Sequence, residues 1–510
     1  MVDFTSPDPA SLHARLRPES LACIDLASAR QWSYRQLDAD IQRAVAVLQQ
    51  EGIGKGDRVA VLARNSVHQV ILQQAAMRVG AIFVPLNWRL SLPELGALLM
   101  DCLPVLLYTD DAIPPLPPGC RQKDMESFRD AVEATAPAPR CAPHSGHDTC
   151  IILYTSGTSG VPKGALLTSQ FLLATAVNFN ILGEVDTGCV FLCDSPMFHV
   201  IGAVTQIWPP MLRGGTFIVS SGFQPEATND RLADAALGVT HYFCVPQMAE
   251  ALRQASNFQP EKWGKLKALF TGGAPNPASN IRWWLERGVR MVDGYGMTET
   301  GTTLGMPLAR DILYEKAGAA GIPGPLTSIR IVDDDERDLP DGMAGQILVY
   351  GMNVTPGYWN RPEERGRCFT PDGWIRTGDI GRRDADGFIS IVDRLKDMFI
   401  SGGENVYPVE VEAVLIQHPA VRDVAVIGVP DARWGEVGMA FVVAEPAARP
   451  TAQVLADYCQ TLIARYKVPK EFRLVESLPR TASGKIQKHV LRQQALEAAP
   501  AEDITAMAAS

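Results

Sequence analysis

Residues 150–164 read Cys150-Ile151-Ile152-Leu153-Tyr154-Thr155-Ser156-Gly157-Thr158-Ser159-Gly160-Val161-Pro162-Lys163-Gly164. The run from Cys150 to Tyr154 is apolar and has strand character. After Tyr154, four residues are Ser or Thr, three are Gly and one is Lys. Glycines let a backbone turn sharply and present N–H groups to an anion. Hydroxyls add donors and a lysine adds charge. All of this suits a polyphosphate, and the composition alone also describes a flexible polar loop. The stretch is not a Walker loop, which ends in GK[ST]. Here Pro162 precedes the lysine and has no N–H to offer, and Gly164 has no hydroxyl for a magnesium ion.

Upstream, the chain alternates strands and helices. Arg58–Leu62 is a short apolar run after the turn signal Gly54-Lys55-Gly56-Asp57. Val67–Val79 carries apolar residues at helical spacing, and Ala81–Leu86 reads as a second buried strand. Strand, helix, strand with short links predicts a parallel pair with a crossover helix. Gly52, Gly54 and Gly56 precede a strand rather than follow one, so they read as a turn and not as a dinucleotide fingerprint. Downstream, 215–219, 241–245 and 266–271 are further strands. Around 328–350 two strands flank the acidic run Asp333-Asp334-Asp335-Glu336, which reads as a solvated turn of a hairpin-like unit. The segment from Lys396 to about Leu496 has its own helices and strands.

Length and composition narrow the class. The chain has 510 residues, room for about three domain-sized units. Hydrophobic residues make up 46% and charged residues 20%, which excludes a mostly disordered or collagen-like chain. A net charge of −10 disfavours nucleic acid. No run approaches the roughly 18 apolar residues of a membrane span, and the N-terminus reads as lacking a secretory signal. Ten scattered cysteines carry neither a zinc spacing nor a disulfide framework, so reduced, mostly buried thiols in a cytoplasm are expected.

Four more segments follow in order: Pro196-Met197-Phe198-His199; Tyr295-Gly296-Met297-Thr298-Glu299-Thr300; Arg376-Thr377-Gly378-Asp379 with Asp393-Arg394-Leu395-Lys396-Asp397; and Pro479-Arg480-Thr481-Ala482-Ser483-Gly484-Lys485. With the loop at 154–164 they resemble the signatures of the adenylate-forming superfamily. Its members are acyl- and aryl-CoA synthetases, adenylation domains of peptide synthetases and firefly-type luciferases. The resemblance spans residues 154–485.

The resemblance implies an α/β fold: a large N-terminal AMP- and acyl-binding domain of several subdomains over 1–394, and a small mobile C-terminal α+β domain over 395–510. It implies ATP, Mg²⁺ and coenzyme A as co-substrates and cofactor, and a carboxylic acid that is first joined to the α-phosphate. Two anions must meet in that step, so charge must be neutralised at the phosphate. By resemblance Lys485 bridges the carboxylate and the α-phosphate. Thr155, Ser156, Gly157, Thr158, Ser159, Gly160 and Lys163 hold phosphates. Glu299 is the metal ligand, a hard oxygen suited to Mg²⁺, and Thr298 holds the α-phosphate. Tyr295 stacks on the adenine, along which Gly272, Gly273, Ala274 and Pro275 pass. Asp379 and Arg394 bind the ribose hydroxyls. His199 opens or closes the acyl pocket, whereas His241 reads as structural. Lys396 is the hinge, about which a rotation brings Gly402 and Gly403 near the CoA arm.

Two readings concern the substrates. Val200–Val204 is wholly apolar, and an unpaired ammonium there is costly to bury, which disfavours an amino acid. The expected acyl wall holds Phe198, Ile201, Tyr242, Val245, Met248, Met297 and Leu304, with Thr302 and Thr303 near a polar substituent. It suits an aryl or hydroxycinnamate-type acid or a medium-chain fatty acid. Only 25 residues follow Lys485, too few for a carrier domain, so CoA is the simplest acceptor. The alternative is an adenylating enzyme that loads a separate carrier protein. Small molecules are the expected partners, without integral membrane association, and a homodimer is allowed.

Overall fold

The computed structural model describes residues 5–142, 144–155, 162–274, 276–401, 404–431, 433–446, 448–481 and 485–497, with only the backbone of Glu404, Asn405 and Glu497. The chain forms two compact units. The first comprises 1–329 and 348–376, the second 330–347 and 377–510.

In the first unit a six-stranded sheet runs in the order Arg121–Lys123, Leu106–Thr109, Arg58–Leu62, Ile82–Pro85, Thr149–Thr155, Lys163–Thr168. Arg58–Leu62 and Ile82–Pro85 are parallel, and the helix Val67–Val79 joins them, as the spacing predicts. That helix is capped by the Ser66 side chain and ends at Gly80, whose φ of 75° only glycine adopts readily. Alternate residues of Arg58–Leu62 serve two cores. Val59 and Val61 pack with the helices Tyr34–Gln50 and Val67–Val79, while Ala60 and Leu62 pack with Leu92–Cys102. Both faces are covered, so the strand reads as a continuous apolar run.

A second sheet of nine strands runs Ile322–Pro323, Gly301–Gly305, Met291–Met297, Ala268–Thr271, His241–Cys244, Val190–Cys193, Thr216–Val219, Leu21–Asp25, Arg30–Ser33. Its central strands are parallel. The C-terminal ends of parallel strands collect loops on one edge of a sheet, and ligands bind outside those ends.

A four-stranded sheet orders Thr327–Val332, Ala344–Gly351, Ile375–Arg383 and Ile389–Arg394, with the acidic turn at Asp333–Glu336 between its first two strands. Asp334 and Asp335 are exposed there. The second unit has a five-stranded sheet built on the long antiparallel pair Val421–Asp431 and Gly435–Ala444. Val424, Val426, Ala440 and Val442 face the helices Pro408–Leu415 and Ala452–Gln460. Ala425, Ile427, Met439, Phe441 and Val443 face the helix Lys488–Glu497. All ten cysteines are free thiols and seven are buried. Among the described residues no helix is long and apolar enough to cross a membrane.

Candidate active site

The phosphate-loop candidate joins two paired strands. Thr149–Thr155 runs antiparallel to Lys163–Thr168, with Thr155 opposite Lys163. Ser156, Gly157, Thr158, Ser159 and Gly160, with Val161, lie outside the described residues. The Thr155 hydroxyl donates to the Lys163 carbonyl at 3.3 Å. Lys163 Nζ lies 2.7 Å from Glu364 Oε2, and both side chains are largely buried. The ammonium also lies 5.7 Å from the centre of the Tyr358 ring. The Tyr358 hydroxyl donates to Glu299 Oε1 at 2.9 Å. Burial and the Glu299 charge hold that phenol far above its ordinary pKa. The Lys163 hydrogen bond holds the Glu364 carboxyl below the usual range.

Thr298, Glu299 and Thr300 form the turn between Met291–Met297 and Gly301–Gly305. The turn has steric demands that only glycine meets. A Cβ at Gly296 would lie 2.0 Å from the Gly301 carbonyl oxygen. Gly301 has φ of 54°, and a Cβ there would lie 2.0 Å from Thr175 Oγ1. Side-chain amides brace the turn from behind. Asn353 Nδ2 donates to the carbonyls of Thr300 (2.6 Å) and Thr302 (3.3 Å). Asn178 Nδ2 donates to Thr302 O at 2.9 Å, and Thr327 links both asparagines through its hydroxyl. The Thr355 N–H donates to the Glu299 carbonyl at 2.8 Å. Glu299 is thereby held at 6% exposure.

Tyr295 is half-buried on the strand beside Gly294 and Gly296. Two residues earlier, Asp293 accepts the Thr271 hydroxyl at 2.9 Å, and burial pushes its carboxyl up to about 7. Asp293 was not among the residues singled out from sequence. A titratable group displaced this far beside a candidate site is the kind of signal that marks function.

Gly272 and Gly273 end the neighbouring strand. A Cβ at Gly272 would meet Phe243, and one at Gly273, where φ is 79°, would approach only Ile201 and Val245 among the described residues. Ala274 is described and Pro275 is not. The sequence-based wall needs correction here. Tyr242 is fully buried and its hydroxyl donates to Asp194 Oδ2 (3.4 Å), as does Thr228 (2.5 Å), while Ser220 and Arg231 (3.1 Å) donate to Oδ1. Successive strand residues face opposite ways, so Phe243 and Val245, not Tyr242, stand beside the glycines. Thr303 is also fully buried, and its hydroxyl donates to Thr300 Oγ1 at 2.9 Å, so it is withdrawn from any substrate substituent.

Pro196–His199 is held by Asn65, which donates to Ser195 O at 2.8 Å and accepts from the Met197 N–H at 2.9 Å. His199 packs on Phe198 at 4.7 Å between ring centroids and leads into a π-helical turn, Ile201–Thr205. Phe198 meets the edge of Trp88, over which the Arg64 guanidinium lies at 3.3 Å. His241 is a core residue. It stacks on Phe191 at 4.6 Å and on Phe270 at 5.7 Å, and burial lowers its pKa to about 4.

In the second unit Asp379 pairs in register with Arg394, and Arg394 Nε lies 3.4 Å from Asp379 Oδ1. Gly378 turns the strand at φ 72°, and the Leu395 N–H donates to its carbonyl at 2.9 Å. Lys396 follows that pairing, and burial with the nearby Arg394 lowers its pKa. Lys485 is exposed. Its N–H donates to Thr481 Oγ1 at 3.1 Å and its carbonyl accepts the Thr481 N–H at 2.8 Å. Gly402 and Gly403 lie outside the described residues.

The donors fit the expected groups. Glu299 is a buried carboxylate whose Oε1 is already oriented by a phenol, and hard oxygen of this kind suits Mg²⁺. At Gly273 the φ of 79° favours glycine, and a Cβ would make only ordinary contact with described neighbours, Ile201 at 3.8 Å and Val245 at 4.0 Å.

The comparisons agree with this chemistry. The model described as "AMP-binding enzyme" matches residues 11–359, and that described as "AMP-binding enzyme C-terminal domain" matches 410–485. A feruloyl-CoA synthase of an Amycolatopsis species is 37% identical over 482 residues, covering 94% of this chain and 97% of its own. A long-chain-fatty-acid–CoA ligase of Mycobacterium tuberculosis (strain H37Rv) is 37% identical over 499 residues, covering 94% and 96%. The o-succinylbenzoate CoA synthetase of Bacillus subtilis, solved with ATP and a magnesium ion, superposes with a TM-score of 0.84 at 30% identity, covering 96% of this chain and 99% of its own.

Proposed function

The chain belongs to the AMP-binding enzyme family, the adenylate-forming acid–CoA ligases, and from that premise we propose how its residues divide the work and which acid they serve. It is an AMP-forming acid–CoA ligase that uses ATP, Mg²⁺ and CoA and passes through an acyl-adenylate. The observation that carries the assignment of roles is the contact chain Glu364–Lys163–Tyr358–Glu299. It joins the phosphate-loop lysine to the carboxylate of the Thr298–Thr300 turn.

In this reading Glu299 ligates Mg²⁺, while Thr298, Lys163 and the 155–160 loop take the phosphates. Tyr295 and Gly273–Pro275 flank the adenine. Asp379 and Arg394 take the ribose, since two carboxylate oxygens accept two hydroxyls. Lys485 neutralises the carboxylate and α-phosphate as they meet, an electrostatic contribution of the kind that dominates such steps. Lys396 is the hinge of a mobile domain over 395–510, and His199 gates the acyl pocket. Rotation at the hinge withdraws Lys485 and admits the CoA arm beside Gly402 and Gly403. Hinges of this kind absorb their motion at a few residues.

The acid is apolar, of aryl or hydroxycinnamate type or of medium chain length. Supporting this, Phe243, Val245 and Ile201 flank Gly272–Gly273. The enzyme works in the cytoplasm on small molecules, in keeping with its free cysteines. A homodimer is allowed, and sedimentation velocity would then give twice the chain mass.

The test is pyrophosphate release with ATP, Mg²⁺ and CoA over benzoates, hydroxycinnamates and straight chains from acetate to palmitate. CoA-dependent turnover with an aryl or medium-chain preference is expected. Pyrophosphate release with no CoA thioester would move the acceptor to a carrier protein.

A further inference from the structure

Glu364 stands where the phosphate-loop lysine ends, and the sequence motifs do not include it. It lies on the short helix Pro362–Cys368, 201 residues from Lys163 along the chain. Its Oε2 accepts Lys163 Nζ at 2.7 Å, and the Cys368 thiol approaches the same oxygen at 3.9 Å. Arg367 Nη1 lies 3.6 Å from Oε1. The backbones bearing the pair are fixed to each other. The Trp359 N–H donates to Gly164 O at 2.8 Å, the Leu166 N–H donates to Gly357 O at 3.1 Å, and Ala165 bridges Tyr358. Tyr358, on that same segment, reaches from beside the ammonium to Glu299.

We propose that Glu364 is a positioning residue for ATP: it holds the Lys163 ammonium in one place before the triphosphate arrives. The proposal rests on the reading of Lys163 as a phosphate ligand. A lysine side chain loses rotamer freedom when it is ordered. A ligand that must order it binds more weakly by that share. Here the carboxylate supplies the ordering in advance. An ammonium has three donors, so one bond to Glu364 is compatible with phosphate contacts by the others. The pair also keeps a buried carboxylate from facing the triphosphate as bare negative charge.

The experiment measures ATP KM and the two half-reactions in the full chain with its preferred acid. Glu364→Ala should raise the ATP KM about tenfold, the scale of one lost charge-assisted hydrogen bond. The KM for acid and CoA, and transfer from preformed acyl-adenylate to CoA, should stay within about twofold. Glu364→Gln keeps an acceptor oxygen and should recover most of the ATP KM, and it replaces the alanine variant if that fails to fold. On a Lys163→Ala background, Glu364→Ala should add nothing further, because the two act as one unit. An unmoved ATP KM in Glu364→Ala, or an equal fall in both half-reactions, overturns the proposal. So does a full Glu364→Ala effect on the Lys163→Ala background. If Lys163→Ala itself leaves the ATP KM unchanged, the assignment of Lys163 fails, a distinct result.

Discussion

Glu299 and Lys485 are the two side chains to which the chemistry assigns most, and the fold treats them in opposite ways. Glu299 sits in a three-residue turn braced by Asn353, Thr355 and Tyr358, at 6% exposure. Lys485 is exposed, and its backbone is tied to Thr481 two bonds deep. A metal ligand works by being in place beforehand, because an oriented carboxylate costs no reorganisation when charge develops. A group needed in only one half-reaction must be able to leave, and heavy bracing would hold it in place. Under the proposed roles, the braced turn is the fixed part and the exposed lysine the delivered part.

The largest expected effects break that contrast directly. Lys485→Ala should lower adenylation about 10²–10³-fold, the scale of a lost transition-state charge contact. It should leave transfer from preformed acyl-adenylate to CoA largely intact. Glu299→Gln should lower adenylation by a similar factor and raise the Mg²⁺ concentration needed for half-maximal rate. Measuring both half-reactions separately checks both. Equal loss in the two half-reactions for a folded Lys485→Ala would falsify its assignment. Lys396→Pro should do the reverse of Lys485→Ala, because a fixed φ removes the dihedral freedom of a hinge. Adenylation should persist while thioester formation falls at least tenfold, as followed by CoA thiol consumption.

A smaller effect probes the bracing itself. Gly301→Ala places a Cβ at φ 54° and 2.0 Å from Thr175 Oγ1, a side chain with no exposed surface. Strain and overpacking together should cost about 2–4 kcal/mol. Thermal unfolding should show a lower midpoint for the first unit, and the metal requirement should rise as Glu299 loses its orientation. A variant with an unchanged midpoint would mean that the turn yields without cost.

Much of this was legible in sequence, for identifiable reasons. The loop at 154–164 and the turn at 295–300 carry unusual residue types at close spacing, so local chemistry announces them. The strand–helix–strand unit 58–86 shows in the apolar run and helical period. The partners that hold these pieces were not legible. Tyr358 reaches Glu299 across 59 positions, Asn353 reaches Thr300 across 53, and Glu364 reaches Lys163 across 201. No periodic signal links such residues before the chain is folded. Tyr242 and Thr303 went wrong for another reason. Both lie in strands beside the site, but membership of a strand does not say which face a residue takes. Alternation across the strand sends Phe243 to the glycines and Tyr242 to Asp194. His241 lies in the core as its sequence context indicates, stacked between Phe191 and Phe270 of the neighbouring strands.

The smallest effect concerns how acid acts on the two units. In the first, burial lowers His68 and His241 to about 4. A histidine held neutral in the fold contributes stability above its unfolded pKa near 6.5, lost as pH falls through 4. Asp293, raised to about 7, has the opposite sign and offsets part of this. In the second unit burial raises Asp393 to about 6, although Lys488 and the N–H groups of Val409 (2.9 Å) and Arg394 (2.7 Å) favour its charge. A carboxyl with a raised folded pKa contributes stability that is complete below its unfolded pKa near 3.9 and lost as pH rises through 6. Asp393→Asn removes that titration while keeping one acceptor oxygen. The change in stability from pH 4.5 to pH 7 should then be more favourable in the variant than in the parent, by on the order of 2 kcal/mol. Amide exchange at Val426, paired with Ala440, and at Val442, paired with Val424 across the long strands of the second unit, reads that difference after correction for intrinsic rates. Identical pH dependence in parent and variant would show that Asp393 ionises in the fold as easily as in the unfolded chain.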